Sequence, residues 1–201
     1  MFDVLIIGGG VSGMSCALVL GSAKNKYFVA DKKIGIITHQ KASSLQDALF
    51  NNAYGITPGK LGSELLTESI DHLAQMYPHI LQIPNEKVLK IERKSPEFKV
   101  ITNKNTYSTQ SIVIGIGSAN TFAVEGLLQY VEPHQKSLPE KQRIQLKNND
   151  HKVADGIYVT GTLAGHRSQL AIAAGSGATV ATDILTFWNN GVETHVHDSI
   201  R

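Results

Sequence analysis

Residues 2–7 (FDVLII) form a nearly continuous apolar run with β-branched residues at its end, the pattern of a strand covered on both faces. Glycines interrupt it at Gly8, Gly9 and Gly10. Residues 15–20 (SCALVL) then carry a helix-like apolar face, and residues 26–31 (KYFVAD) read as a second buried strand ending in an acid. This order predicts the β–turn–α–β unit of parallel sheets. Residues 32–60 read as irregular, punctuated by Gly35, Gly55, Pro58 and Gly59. Leu65, Leu66, Ile70, Leu73 and Met76 recur at helical spacing and predict a helix over 61–77, stopped by Pro78. Three strand-like runs follow at 87–92, 98–102 and 111–116, the first alternating polar and apolar positions. Residues 119–152 are the least ordered, with a short helix expected near 122–130 and a strand at 143–146. A buried strand at 156–160 leads into a final helix over 168–188, rich in small residues, and a frayed tail follows Gly191.

Composition narrows the function classes. At 42% hydrophobic and 18% charged residues, the chain can bury a core and does not read as disordered. Nineteen basic against 17 acidic residues leave a net charge of +2, which argues against a dedicated nucleic-acid binder. A single cysteine, Cys16, excludes an intrachain disulfide and any Cys-x-x-Cys chemistry. No uninterrupted apolar run reaches about 18 residues, so no membrane span is expected. The short run at 2–7 has no basic leader and halts at glycines, so it reads as a strand and not a signal peptide; a cytoplasmic location is the expectation.

The chemistry starts at Gly8, Gly10 and Gly13, which spell G-x-G-x-x-G. The first glycine allows the turn off the strand, the second lets a pyrophosphate touch backbone, and the third permits close helix–strand packing. Val11 and Ser12 would then offer backbone N–H groups at a helix N-terminus, whose dipole favours phosphate. The motif follows a strand and opens a helix, so dinucleotide binding outweighs a plain glycine-rich turn. Asp31 stands where a carboxylate would accept hydrogen bonds from a ribose diol. Lys32 and Lys33 follow it; a solvated loop is the favoured reading of the pair, with Lys32 kept as a candidate contact. FAD and NAD stay open on this loop alone.

The far end of the chain bears on that choice. The stretch GIYVTGTLAGHRSQLAIAAGSGA (156–178) reads as strand, turn and helix, with Gly175 and Gly177 costing about 1 kcal/mol each inside the helix. Either close packing or room for a flat ring explains them. Together with Gly8 to Gly13, Asp31, SIVIGIGS (111–118) and NNAYG (51–55), this stretch resembles the FAD domain of thioredoxin reductase and its relatives in the pyridine nucleotide-disulfide oxidoreductase family. The resemblance implies an α/β fold: a single doubly wound FAD-binding (Rossmann-like) domain over 1–190, with a central parallel sheet and a small β-meander at roughly 87–110, followed by a tail at 191–201. It implies FAD as cofactor. Gly161 and Thr162 would approach the ribitol–pyrophosphate chain, the backbone of Gln169 and Leu170 the flavin O2 side, Val88 the adenine and Asn52 the isoalloxazine, with Gly117 as a further cofactor contact.

Three departures qualify the likeness. The family's Gly-Asp is Gly161-Thr162 here, which removes a ribitol carboxylate, the redox cysteine pair is missing, and 119–152 are too few to form the inserted NADPH domain they replace. The expected function is FAD-dependent oxidoreduction without dithiol chemistry, with a small-molecule or protein electron donor or acceptor, and a non-catalytic flavin-binding sensor or subunit as the alternative. His166 and Arg167 could stabilise reduced flavin, or simply form a surface loop. Tyr54 could shield the ring or serve only packing. An FAD domain stripped of its companion would expose apolar surface that a homodimer could cover, with Phe187 and Trp188 as contributors if they are not core. His195, His197 and Asp198 have metal-like spacing but read as a solvated tail, and no metal is expected.

Overall fold

The computed structural model describes residues 1–39 and 43–197. Strands β1 (Phe2–Ile7), β2 (Ile34–Thr38), β5 (Leu81–Pro84), β8 (Thr106–Ile114) and β12 (Ile157–Val159) pair in parallel in the order β5-β2-β1-β8-β12. Antiparallel β11 (Lys152–Ala154) closes one edge. β6 (Val88–Lys94), β7 (Glu97–Thr102) and the first half of β8 form the expected meander, so β8 serves two layers. Two short antiparallel pairs lie apart: β3 (Leu49–Phe50) with β4 (Lys60–Leu61), and β9 (Val131–Pro133) with β10 (Ile144–Leu146).

Side chains alternate across a strand, and β1 shows the consequence. Val4 and Ile6 point into one core with Cys16, Ala17 and Leu20 of α1 (Val11–Ser22), Leu73 of α2 (Gly62–Met76) and Val180, Ile184 and Leu185 of α3 (Leu170–Trp188). Leu5 and Ile7 point into a second core with Phe98 and Val100 of the meander, and with Leu127, Leu146 and Leu163. Both faces of the central strand are therefore covered, as its unbroken apolar run requires. By length and composition α3 is long and apolar enough to cross a membrane. Here it lays Gly177, Val180, Ala181 and Ile184 against the core and packs along α1.

The second strand is not where the sequence pattern puts it. Residues 26–31 form successive turns, in which the Val29 and Ala30 N–H groups both donate to the Lys26 carbonyl. Val29 and Phe28 still reach the first core. A six-residue apolar run does not distinguish a strand from such turns. β2 instead occupies 34–38, a stretch masked by Gly35. That glycine sits inside the strand because the Phe2 ring covers it: a Cβ there would lie 2.6 Å from the ring. The helix expected near 122–130 is reduced to a single 3-10 turn at Leu128–Tyr130.

Beside the meander, the buried carboxylate of Glu86 organises the β7–β8 turn. It accepts hydrogen bonds from the Thr102 hydroxyl, from Asn105 Nδ2 (2.6 Å) and from the Tyr107 hydroxyl (2.9 Å). Burial pushes its pKa up, but these three donors and the charge of Lys104 outweigh burial and hold it below the usual carboxylate value. Glu86→Ala strands three donors and is expected to lower unfolding stability by about 2–4 kcal/mol. Urea denaturation checks this, and Glu86→Gln should recover part of the loss.

Candidate functional site

The glycine turn is built by two close contacts and one open side. Gly8 has φ +116°, and a Cβ there would meet the Gly115 carbonyl at 2.3 Å. A Cβ on Gly13 would lie 1.9 Å from the Gly8 carbonyl oxygen. Gly10 differs: a Cβ there meets nothing within 4 Å. It is the N-cap of α1, with no capping side chain and no acid in the first turn. The start of α1, where Val11 is half-buried and Ser12 buried, therefore presents backbone donors beside an open approach, the requirement for binding a phosphate group.

The two ends of the chain meet at this turn. β8 delivers Gly115, whose N–H donates to the Ile7 carbonyl, and then Gly117, at φ +82° with open space around it. β12 delivers Gly161 at φ +69°, where a Cβ would lie 2.8 Å from Ser12 Oγ. α3 lays Gly177 on the Ser12 carbonyl, 2.0 Å from where its Cβ would be, and Ser15 Oγ donates to the Ala174 carbonyl at 2.8 Å. Of the two glycines singled out in this helix, Gly177 is required by packing. Gly175 faces open space.

Other predicted residues fall differently. Thr162 is half-buried in the 3-10 turn Gly161–Ala164; Gln169 stands at the N-cap position of α3 without a side-chain capping hydrogen bond, and Leu170 opens the helix. Val88 is a buried side chain of the second core. Asn52 is exposed in the 51–59 loop and makes no hydrogen bond among the described residues, and Tyr54 is fully exposed. Asp31 and Lys32 require correction. They precede β2 instead of ending it, and the Asp3 N–H donates to the Lys33 carbonyl, so they sit at the sheet end opposite the glycine turn. Lys32 pairs with Asp3 at 3.1 Å and lies over the Trp188 ring. The residue that follows β2 beside the glycine turn is His39, and the next two in sequence are Gln40 and Lys41. A dinucleotide pyrophosphate thus fits the turn, but a ribose carboxylate is not at its expected place. Trp188 packs partly into the first core, and Phe187 is exposed. Asp198 lies outside the described residues, and among these no group of three ligands could hold a metal.

One hydrogen-bonded chain escaped the sequence reading. The Gly161 N–H donates to Ser176 Oγ (2.8 Å), which lies 3.0 Å from His151 Nε2, itself 3.0 Å from His166 Nε2. A single proton can lie between the two imidazole nitrogens. His151 is buried at φ +69°, its Nδ1 is unpartnered, and Asp150 is 3.6 Å from it, beyond hydrogen-bond distance. Desolvation, then the neighbouring His151 and Lys136, push the His166 pKa below its ordinary value of 6.5. Ser176 sits between two glycines, the one signal in the sequence for a close approach there. Cys16 is buried on α1, and burial pushes its thiol pKa far up, so it is no nucleophile.

The family profile described as pyridine nucleotide-disulphide oxidoreductase matches residues 2–179. An uncharacterized oxidoreductase, CzcO, of Bacillus velezensis is 26% identical over an alignment of 154 residues that covers 71% of this chain and 44% of that protein. The chain spans less than half the length of the curated relatives it matches. Among solved structures, a thioredoxin reductase from Gloeobacter violaceus aligns with a TM-score of 0.74 at 15% identity, covering 100% of this chain and 99% of that one. A ferredoxin-flavin thioredoxin reductase from Clostridium acetobutylicum aligns at 0.68 and 18% identity, covering 94% and 98%. At such identities the likeness is one of fold, a mostly parallel sheet with a small antiparallel meander.

Two outcomes test this geometry. Gly177→Ala forces α3 off the Ser12 carbonyl and should cost at least about 2 kcal/mol in denaturant unfolding, whereas Gly175→Ala should not destabilise. The lowered pKa of His166 means that, as pH falls, the unfolded chain takes up a proton there before the fold does, starting near the ordinary value of 6.5. Stability therefore falls as pH drops through that value, above the range where Glu86 contributes. A melting series from pH 8 to 5 should show this fall, reduced in His166→Gln.

Proposed function

The chain belongs to the pyridine nucleotide-disulphide oxidoreductase family, and from that premise we propose that it is a flavoprotein that holds FAD and works as an oxidoreductase without dithiol chemistry. The observation that carries the reading is the contrast within the glycine turn: Gly8 and Gly13 are sealed by backbone, while Gly10 is left open at an uncapped helix start. Packing explains the first two glycines. It does not explain Gly10, whose φ of −80° any residue can adopt. A backbone approach by a ligand does.

Gly10, Val11, Ser12 and Gly117 would hold the pyrophosphate, with Gly161 and Thr162 beside it. Gln169 and Leu170, at the uncapped start of α3, would face the far end of the cofactor. Bound flavin supplies electron acceptance and donation, and the chain supplies orientation and exclusion of water. Without a carboxylate at Thr162 or directly after β2, the cofactor's hydroxyls lose anionic acceptors, which should weaken binding by about 1–2 kcal/mol per lost charge-assisted bond. With Cys16 buried as the chain's only thiol, electrons would arrive from a diffusible donor or a partner protein. The same two losses support the second reading, a flavin-binding subunit that does not turn over.

Purified protein incubated with FAD and passed through gel filtration should retain the visible spectrum of bound oxidised flavin. Gly10→Val should stay within about 1 kcal/mol of wild-type stability, the cost of valine at an N-cap with no neighbours to clash with, and lose at least about tenfold in FAD affinity. Equal FAD affinity in wild type and variant would refute the site. Stopped-flow reduction by NADH, NADPH or a reduced protein donor separates the two readings: a flavin that none of them reduces favours the subunit.

A further inference from the structure

Next to the start of α3 lies a cavity of about 230 Å³ that the glycine turn does not line. It is lined by Lys136, Lys141, Arg143 and Arg167, and by no acid. None of these four cations takes part in an ion pair or side-chain hydrogen bond among the described residues, although the chain has almost as many acids as bases. Glu140 stands between two of them in the 3-10 turn Pro139–Lys141 but does not line the cavity. Four unpaired cations in one concavity repel one another, and an anion relieves that repulsion.

Neutral donors complete the wall. His134 is 7% exposed, and its Nδ1 accepts a hydrogen bond from the Lys136 N–H (3.1 Å). The neutral ring therefore carries its proton at Nε2, which has no partner among the described residues. Ser137 and Ser168 also line the cavity and bring hydroxyl donors to it. Guanidinium, ammonium, imidazole N–H and hydroxyl donors together suit the several acceptor oxygens of a phosphate group. An adjoining cavity shares Lys136 but is lined by Glu132 and the amides of Gln135 and Gln145, which are already hydrogen-bonded to that carboxylate. There Glu132 stands against Lys136 and Lys147, so the second cavity carries less excess positive charge than the first, and a ligand with one phosphate and an uncharged polar remainder fits best.

We propose that this cavity binds a small phosphate monoester. His166 and Arg167 bring it to the start of α3, where the flavin ring would lie; its use as a substrate site rests on the flavin reading, but the binding itself does not.

The test is titration calorimetry with glycerol 3-phosphate as probe, on wild type and on Lys141→Gln, Arg143→Gln and Arg167→Gln, each in the presence and absence of FAD. Each variant should bind at least about tenfold more weakly with an unchanged unfolding midpoint. Lys152→Gln, which removes only the surface pair with Asp155, should bind as wild type. No binding by wild type up to about 10 mM overturns the proposal. So does equal binding by the three variants, which would place the anion elsewhere, and so does tighter binding of citrate than of the monoester. Protein that binds the probe through these residues but takes up no FAD refutes the flavin reading and leaves the anion site standing. Protein that holds FAD and ignores the probe does the reverse.

Discussion

The fold closes where Gly177 of α3 meets the carbonyl of Ser12 in the first turn of α1. No side chain fits between them, so the helices approach to backbone distance, and Gly161 and Ser176 come within reach of the glycine turn. Residues about 165 positions apart in the chain therefore share one crevice. Such closure costs loop entropy that grows only slowly with separation, and the apolar contact between Val180, Ile184 and Leu185 and the α1 side chains offsets it. Everything placed at the C-terminal ends of β1, β8 and β12 depends on this contact. In open α/β sheets that edge is where ligands bind.

Much of this arrangement was legible because it is local. The unbroken run 2–7, the spaced glycines after it and the small-residue helix at 170–188 each obey one period, and each is found within a few residues of its expected place. β2 was not legible, since its strand contains Gly35, whose presence reflects the Phe2 ring and not the local conformation. That shift moved Asp31 from a cofactor position to the far end of the sheet. The His166–His151–Ser176 chain was illegible for a different reason: its members are 15 and 25 residues apart, and no periodicity links them.

Charge is distributed against expectation as well. A net charge of +2 conceals a concentration of unpaired cations on the segment 136–143 and at Arg167. Elsewhere some lysines are matched, Lys90 with Glu92, Lys152 with Asp155 and Lys32 with Asp3, and others stand singly on the surface; here four cations unpaired among the described residues line one concavity. Pairing at exposed positions contributes little to stability, so the contrast says little about folding. It concerns the field at one concavity, where like charges within a Debye length raise the local concentration of anions.

The hydrogen-bonded chain joins these two regions. His166 lines the cation cavity and touches His151; His151 touches Ser176; Ser176 holds the Gly161 N–H; Gly161 lies against Ser12 at the glycine turn. Each link is short and largely removed from water, so the orientation of one donor constrains the next. Only one proton can lie between the two imidazoles. His151 Nε2 offers either one proton or one lone pair, so Ser176 Oγ and His166 Nε2 compete for that single site, while Ser176 continues to accept from the Gly161 N–H. The backbone at the end of β12 is thus held by a serine whose hydrogen-bond role is set from the cavity side, and the two candidate binding regions share a physical connection that neither end of the sequence discloses alone.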